Sequence, residues 1–413
     1  MRLLTFLVSF VLLHGAQACL SASRDPPPED IKSYVRKRAL PNLVRTAIRN
    51  VRVFDGKAFT NPRTVFIDDD GLIADSIGDI VKVVDAKGQF LIPGLMDAHT
   101  HVSGVAALEN FTAYGVTTIF NMDCRNYTLC ALLQGQAGLA SFLTASMAGI
   151  GNGSHHAALF PRPASELLYP DTDPETVVAN AFNNGSYFLK VVAERNGPSL
   201  ELQKGLVAAT HQRSRRVATH ASDLEAYLQA VTSGSDSIQH TCDDGIVSPL
   251  LLEQMRARGQ FSTPTMELFR QAYSDPAIWA FLRGNASSTD GTTTYANVVQ
   301  NVKDLHRARV PILAGTDSIG GVAPGLSYPF GVSLHNELVN LVSAGLSPAE
   351  ALRAATSRVA DMYGLKDRGS IQPGWRADLV LLNSNPLVNI SNSRDIARVW
   401  AGGFEYVDVA SGT

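Results

Sequence analysis

A chain of 413 residues is too long for one small domain and suits one large barrel with a smaller module. Hydrophobic residues make up 45% and charged residues 18%, a globular mixture able to bury a sizeable core. The net charge of −3, with no polybasic run and no long acidic tail, excludes nucleic-acid binding by bulk charge and charge-driven disorder.

Met1-Arg2 starts the chain with a positive charge, and Leu3–Leu13 follows as an apolar run too short to span a bilayer. Ala16-Gln17-Ala18 then supplies an A-x-A cleavage pattern, so residues 1–18 read as a removed signal peptide rather than a buried helix. Residues 19–44 are polar and carry Arg36-Lys37-Arg38, either a dibasic processing site or a solvated charge run. No later run is apolar enough for a membrane span, so the expectation is a secreted protein with no membrane attachment after cleavage. Six sequons, at Asn110, Asn126, Asn152, Asn184, Asn285 and Asn389, add modest support as glycosylation candidates. Of four cysteines, Cys124 and Cys130 lie in a polar loop and either close a disulfide or stay free; no zinc-finger spacing is present.

Residues 45–92 read as short strands, with Thr46–Val53, Thr64–Ile67 and Val81–Val84 rich in β-branched residues and Asp-Gly turns between them. The same texture returns in Ala377–Leu382, Ile396–Ala401 and Glu405–Val409. Neither half makes a sheet alone, so 45–92 and 366–413 are expected to pair into one small β-sandwich module. Residues 93–365 alternate apolar runs with helical stretches, the pattern of βα units. Eight strands are predicted: Gly94–Ala98, Thr117–Asn121, Phe142–Met147, Tyr187–Val192, Arg216–His220, Ser237–His240, Gln260–Pro264 and Pro311–Ala314. Eight such units close into an α/β fold of the (β/α)8 TIM-barrel type. An open doubly wound sheet is the alternative, but no G-x-G-x-x-G follows the first strand.

His99 and His101 end the first barrel strand in Asp97-Ala-His-Thr-His, and residues two apart in a strand point to one side. An H-x-H alone also suits two core histidines. Lys190 sits among apolar residues in the fourth strand, either a buried amine that needs neutralising or a lysine snorkelling from an edge. His220 and His240 end the fifth and sixth strands, and Asp317 follows the eighth, where an N-cap is its bland reading. All six fall at or near C-terminal strand ends, the face where barrel active sites lie. His155 and His156 in a glycine-rich loop, Glu194 and Arg195 after the fourth strand, and His335 at a helix start are candidate substrate contacts or plain surface residues.

Taken together, Leu91-Ile-Pro-Gly-Leu-Met-Asp-Ala-His-Thr-His, Lys190, His220, His240 and Leu313-Ala-Gly-Thr-Asp resemble the amidohydrolase superfamily, in its imidazolonepropionase-like and Xaa-Pro-dipeptidase-like branch. Gly345-Leu-Ser-Pro-Ala-Glu-Ala-Leu-Arg-Ala-Ala-Thr and Gly369-Ser-Ile-Gln-Pro-Gly-Trp-Arg-Ala-Asp-Leu-Val extend the resemblance over roughly residues 46–408. It implies two divalent metal ions, most often zinc. His99, His101 and Asp317 hold one, His220 and His240 hold the other, and Lys190 bridges them as a CO2-derived carbamate. It also implies a metal-dependent hydrolase acting on carbon–nitrogen bonds, with Asp317 as general base then acid. A dipeptide or small-molecule substrate follows, cleaved at an amide; lactone or ester hydrolysis, deamination and a catalytically inactive binding protein are the alternatives. Homo-oligomers are common in the superfamily. The chain departs from the pattern at Asn121-Met122-Asp123, where many relatives carry Arg-Asp, and at Thr241-Cys242, where a glycine is usual.

Overall fold

The computed structural model describes residues 32–34, 36, 42–283, 292–323 and 326–408. The expected signal peptide, most of the leader and the Asn285 sequon lie outside these residues.

Strands from both ends of the chain share one sheet. From the first end come β1 (Thr46–Val53), β2 (Arg63–Ile67), β3 (Ile73–Ala74), β4 (Lys82–Asp85) and β5 (Phe90–Pro93). Next along the chain are the barrel strands β6 (Leu95–Thr100), β7 (Val116–Asn121), β8 (Ser141–Thr144), β9 (Leu189–Val192), β10 (Val217–His220), β11 (Ser237–Gln239) and β12 (Phe261–Thr263). A hairpin of β13 (Gly320–Ala323) and β14 (Leu326–Tyr328) precedes the returning strands β15 (Leu379–Leu382), β16 (Ile396–Ala401) and β17 (Phe404–Tyr406).

The terminal sheet runs β17-β16-β15-β5-β1-β2-β3, with β4 also on β1. Its seam is the antiparallel pairing of β15 with β5, Leu379 opposite Pro93 and Leu382 opposite Phe90. β1 changes partners midway: Thr46–Arg49 run beside β4, and Arg52–Val53 beside β5. The switch coincides with a register slip against β2 between Ile48 and Val51. The alternating apolar residues of these strands (Ile48, Ile67, Leu91, Leu379, Leu381 and Trp400 among them) bury one core. The pairing joins all eight strands in one hydrogen-bonded sheet.

The rest is an α/β fold like a TIM barrel. β6, β7 and β8 pair in parallel, as do β9 to β12, with helices between successive strands. Single parallel bridges link the arcs: Ala145 to Phe188, Ser262 to Ile312, and Thr100 to Ser318. The expected eighth strand, Pro311–Ala314, is not a regular strand. Only Ile312 forms a bridge, although Leu313 N–H donates to Ser262 O at 2.8 Å and Ala98 N–H to Ala314 O at 3.0 Å. Pro311 has no N–H to donate, and the chain turns away into Gly315-Thr316-Asp317. β5 runs into β6 through Gly94 alone, so the terminal module's inner strand continues directly into the strand bearing His99. Among the described residues no helix is long and apolar enough to cross a membrane.

Candidate metal centre

β6 is buried along its whole length, and it delivers His99 and, one residue beyond its end, His101 to the C-terminal side of the barrel strands. Asp317 returns to the same point because its N–H donates to His99 O at 2.7 Å. Its Oδ1 lies 3.3 Å from His99 Nε2 and 3.1 Å from His101 Nε2. Ligand-capable atoms of these three residues all fall within 4.8 Å of one another.

The other expected residues extend this group. The His99 ring is 4.7 Å from that of His240, and His240 is 4.4 Å from His220, between centroids. Lys190, from β9, is 4% exposed, and burial lowers its ammonium pKa to about 8 against the attraction of Asp317 and Asp123. Burial lowers His99 to about 4 and puts His220 and His240 well below the ordinary imidazole range, with neighbouring imidazoles adding to the fall. Burial alone would raise Asp317, but His99 and His101 outweigh it and hold the carboxyl well below its usual range. The result is ionised carboxylate beside neutral imidazole, the protonation state in which these groups bind cations.

Side chains behind the histidines orient them. His99 Nδ1–H donates to Gln239 Oε1 at 2.7 Å, leaving Nε2 for the cluster. His240 Nδ1 meets Thr265 Oγ1 at 2.8 Å. His240 (φ 71°), Asp317 (φ 61°) and Thr265 (φ 49°) all hold left-handed backbone. His and Asp tolerate that region; a β-branched Thr does so at a cost of roughly 1–3 kcal/mol. Asp97, fully buried, accepts from the Thr316 hydroxyl at 2.7 Å and from the His99 and Thr316 N–H groups, clamping β6 to the Gly-Thr-Asp turn. Burial raises the Asp97 pKa to about 7.

The weaker candidates separate. The His156 ring stands 4.5 Å from that of His220, and its Nδ1 donates to Glu194 Oε2 at 2.8 Å. Burial would raise Glu194, but hydrogen bonds from His156 and Ser154 hold it low. His155 instead turns to Leu282 O at 3.1 Å. Arg195 is exposed on a groove of about 610 Å³ that Glu194 and Glu225 also line. His335 does not join the centre: it is fully buried, with Nδ1 at 2.9 Å from Ser393 Oγ and Nε2 at 2.9 Å from Tyr114 O. Both nitrogens are occupied in tying its helix to Tyr114 and to Ser393 in the connection between β15 and β16, so the expected approach to the pocket is corrected. Cys124 and Cys130 form a disulfide. Of the described sequons, Asn110, Asn152, Asn184 and Asn389 are exposed, whereas Asn126 is half-buried and caps the Tyr127–Leu133 helix.

Asp123, in the departing Asn-Met-Asp segment, pairs with Arg162 at 2.6 Å, so an arginine 39 residues on faces this carboxylate. The sequence reading missed Arg162, Gln239 and Thr265. Only Gln239 carried a signal, a large amide inside a strand and next to a candidate ligand.

The Amidohydrolase family matches over residues 177–404. Adenine deaminase 2 of Desulfotalea psychrophila is 26% identical over 396 residues, 90% of this chain and 58% of that protein. Imidazolonepropionase of Deinococcus deserti is 26% identical over 217 residues, covering 52% and 47%. The chain thus spans about half the length of the curated relatives it matches. The crystal structure of a putative prolidase from Bifidobacterium longum superposes with TM-score 0.74 at 23% identity, over 90% of this chain and 97% of that one, a likeness of fold.

Proposed function

Since the chain belongs to the amidohydrolase family, we propose that it is a metal-dependent hydrolase cleaving an amide C–N bond in a dipeptide, an N-acyl amino acid or a cyclic amide. The observation that carries this is the convergence of four histidines, Asp317 and Lys190 from β6, β9, β10, the end of β11 and the Gly-Thr-Asp turn. We read the scaffold as a closed (β/α)8 barrel, supported by the three bridges that link its arcs, and the terminal sheet as a sandwich wrapped on a shared core.

The donor set fits two divalent cations, zinc foremost: bonds at Nδ1 leave Nε2 of His99 and His240 free, burial favours the neutral forms of His99, His220 and His240, and the Asp317 carboxylate meets both His99 and His101. His99, His101 and Asp317 would hold one ion, His220 and His240 the other. When bound, the ions supply Lewis acidity toward a carbonyl and acidify water to near neutral pH. The Lys190 amine, at about 8, is a partly neutral nucleophile near pH 7. Addition of the neutral amine to CO2 forms an N–C bond, releases one proton and turns a buried amine into an anionic oxygen donor. Asp317 takes the proton of the attacking water and hands it to the leaving nitrogen. His156, braced by Glu194, presents its remaining nitrogen to the substrate beside His220.

Deamination is the second reading, favoured by the relative named Adenine deaminase 2 that spans 90% of this chain. Lys190 opposes it, because deaminases of the superfamily mostly use a different metal set. We also propose export through a secretory route, supported by the Cys124–Cys130 disulfide and the exposed sequons.

Elemental analysis and a substrate panel test the proposal. About two zinc ions per chain, one or both lost in Lys190→Ala, with amino-acid release from dipeptides, N-acyl amino acids or lactams, is the expected result. A single ion indifferent to Lys190, with ammonia released from adenine or its analogues, would move the assignment to deamination. No metal in folded protein would overturn both.

A further inference from the structure

The helix Met266–Ser274 starts abnormally. Its N-cap, Thr265, sits at φ 49° and ψ 46°, and its side chain makes no capping hydrogen bond. A threonine before a helix ordinarily has extended backbone and takes a first-turn N–H on its hydroxyl. Here that hydroxyl is 2.8 Å from His240 Nδ1. The first-turn donors still need acceptors, because Thr265, Met266 and Glu267 are all fully buried. They find them in Glu337, on the helix Val332–Ser343. Met266 N–H donates to Glu337 Oε1 at 3.1 Å, and Glu267 N–H to Oε2 at 2.6 Å. A carboxyl group 70 residues further along therefore caps the helix in place of the threonine beside it.

We propose that Glu337 is a positioning residue for the metal centre. By capping the Met266–Ser274 helix it releases the Thr265 hydroxyl to His240, fixing the ring with Nδ1 engaged and Nε2 directed to the ion. The proposal rests on the reading of His240 as a metal ligand. Without Glu337, two buried N–H groups lose their partners, and the ordinary replacement acceptor at a helix start is the N-cap hydroxyl, here Thr265 Oγ1. Turning that hydroxyl to the helix takes Thr265 out of its left-handed backbone and away from His240. Both relaxations run in one direction, since the first relieves strain and the second satisfies a donor.

The test is cobalt(II) binding to metal-free full-length protein, followed by visible absorption and calorimetric titration. Wild type is expected to bind in two steps, and His240→Ala to abolish one, which identifies the step belonging to His240. Thr265→Val, lacking only the hydroxyl, should weaken that same step 10- to 100-fold, the range for loss of a partner behind a metal-bound histidine, and Thr265→Ser should restore it. Glu337→Gln, which keeps the shape and one acceptor oxygen, should weaken it less than Glu337→Ala. The deciding measurement is the double variant: in the Thr265→Val background, Glu337→Gln should weaken the step no further. Additive losses would show that Glu337 acts independently of Thr265 and overturn the proposal, and unchanged affinity in Glu337→Gln where Thr265→Val is weakened would overturn it by showing that Glu337 serves stability alone. Should Glu337→Ala fail to fold, the glutamine variant and the cycle still decide. Absence of a cobalt step sensitive to His240 would instead overturn the metal centre itself.

Discussion

His99, His240 and His156 each have Nδ1 engaged by a neighbour, and the engaging atom decides what the ring can do. His99 gives its Nδ1 proton to Gln239, itself held by Ser237 Oγ at 2.6 Å from Nε2. Gln239→Leu keeps the volume and removes the acceptor. It should weaken metal binding 10- to 100-fold and lower stability by about 1–3 kcal/mol through the orphaned buried donor, read by cobalt titration and urea unfolding. A variant that binds cobalt like wild type would contradict the orienting role. His335 has both nitrogens engaged and no reactive neighbour, so its effect is on stability. Burial holds its folded pKa at about 4 against an ordinary 6.5. The folded state keeps it neutral while the unfolded chain protonates, so stability is intact above about pH 7 and falls as pH drops from 6.5 toward 4. The fall is on the order of 3 kcal/mol at its lower end. His335→Gln should flatten the pH dependence of urea unfolding in that window; equal slopes in both proteins would refute the assignment. The sequence could suggest His335 as a pocket residue because it opens a helix after Asp317. It could not reveal Ser393 and Tyr114, which lie 58 and 221 residues away.

At the scale of elements, the expectations that held were those carried by local pattern. Thr46–Val53 and Ile396–Ala401 are strands with the bounds read from their β-branched runs. Pro311–Ala314 fell short because tertiary approach, not local propensity, sets its pairing. Its junction with β6 is closely packed. A Cβ on Gly315 would lie 2.4 Å from Thr263 Cγ2, 2.9 Å from His99 N and 3.0 Å from His99 Cβ. The threonine methyl can swing aside, but the His99 backbone cannot without shifting β6 against Asp317. Gly315→Ala should therefore cost about 1–3 kcal/mol by overpacking and also separate the two segments that share one ion. Cobalt affinity should fall in the step that His99→Ala removes, while the step removed by His240→Ala stays within a few fold. Equal loss at both steps would point to general destabilisation instead. Thr265, Arg162 and Glu337 were illegible for a related reason, and Gln239 showed only that it was a buried amide: each acts on a partner in another βα unit, and periodicity carries no record of which units meet.

The whole molecule is organised by one continuous stretch of chain. β5 is the sheet partner of β1 and β15, and after Gly94 the chain continues as β6, which carries His99. Gly94 N–H donates to Asp378 O at 2.7 Å, and Met96 N–H to Ala355 O at 2.7 Å, so chain from beyond residue 350 braces this junction from both sides. Two ends that each read as half a sheet, flanking βα units, made this arrangement legible in outline; which strand would form the seam was not, because several apolar runs were equally suited. The arrangement predicts that the terminal module and the barrel unfold together. Leu381, 1% exposed in the module's core, offers a probe remote from the histidines. Leu381→Ala should cost about 2–5 kcal/mol. Because loosening β15 frees β5, and β5 cannot move without β6, calorimetry should show one transition displaced to lower temperature. The loss of a cobalt chromophore should track it at the same midpoint. A split into two transitions, with the cobalt signal surviving the first, would show that the module is an independent appendage and that the centre is held by the barrel alone.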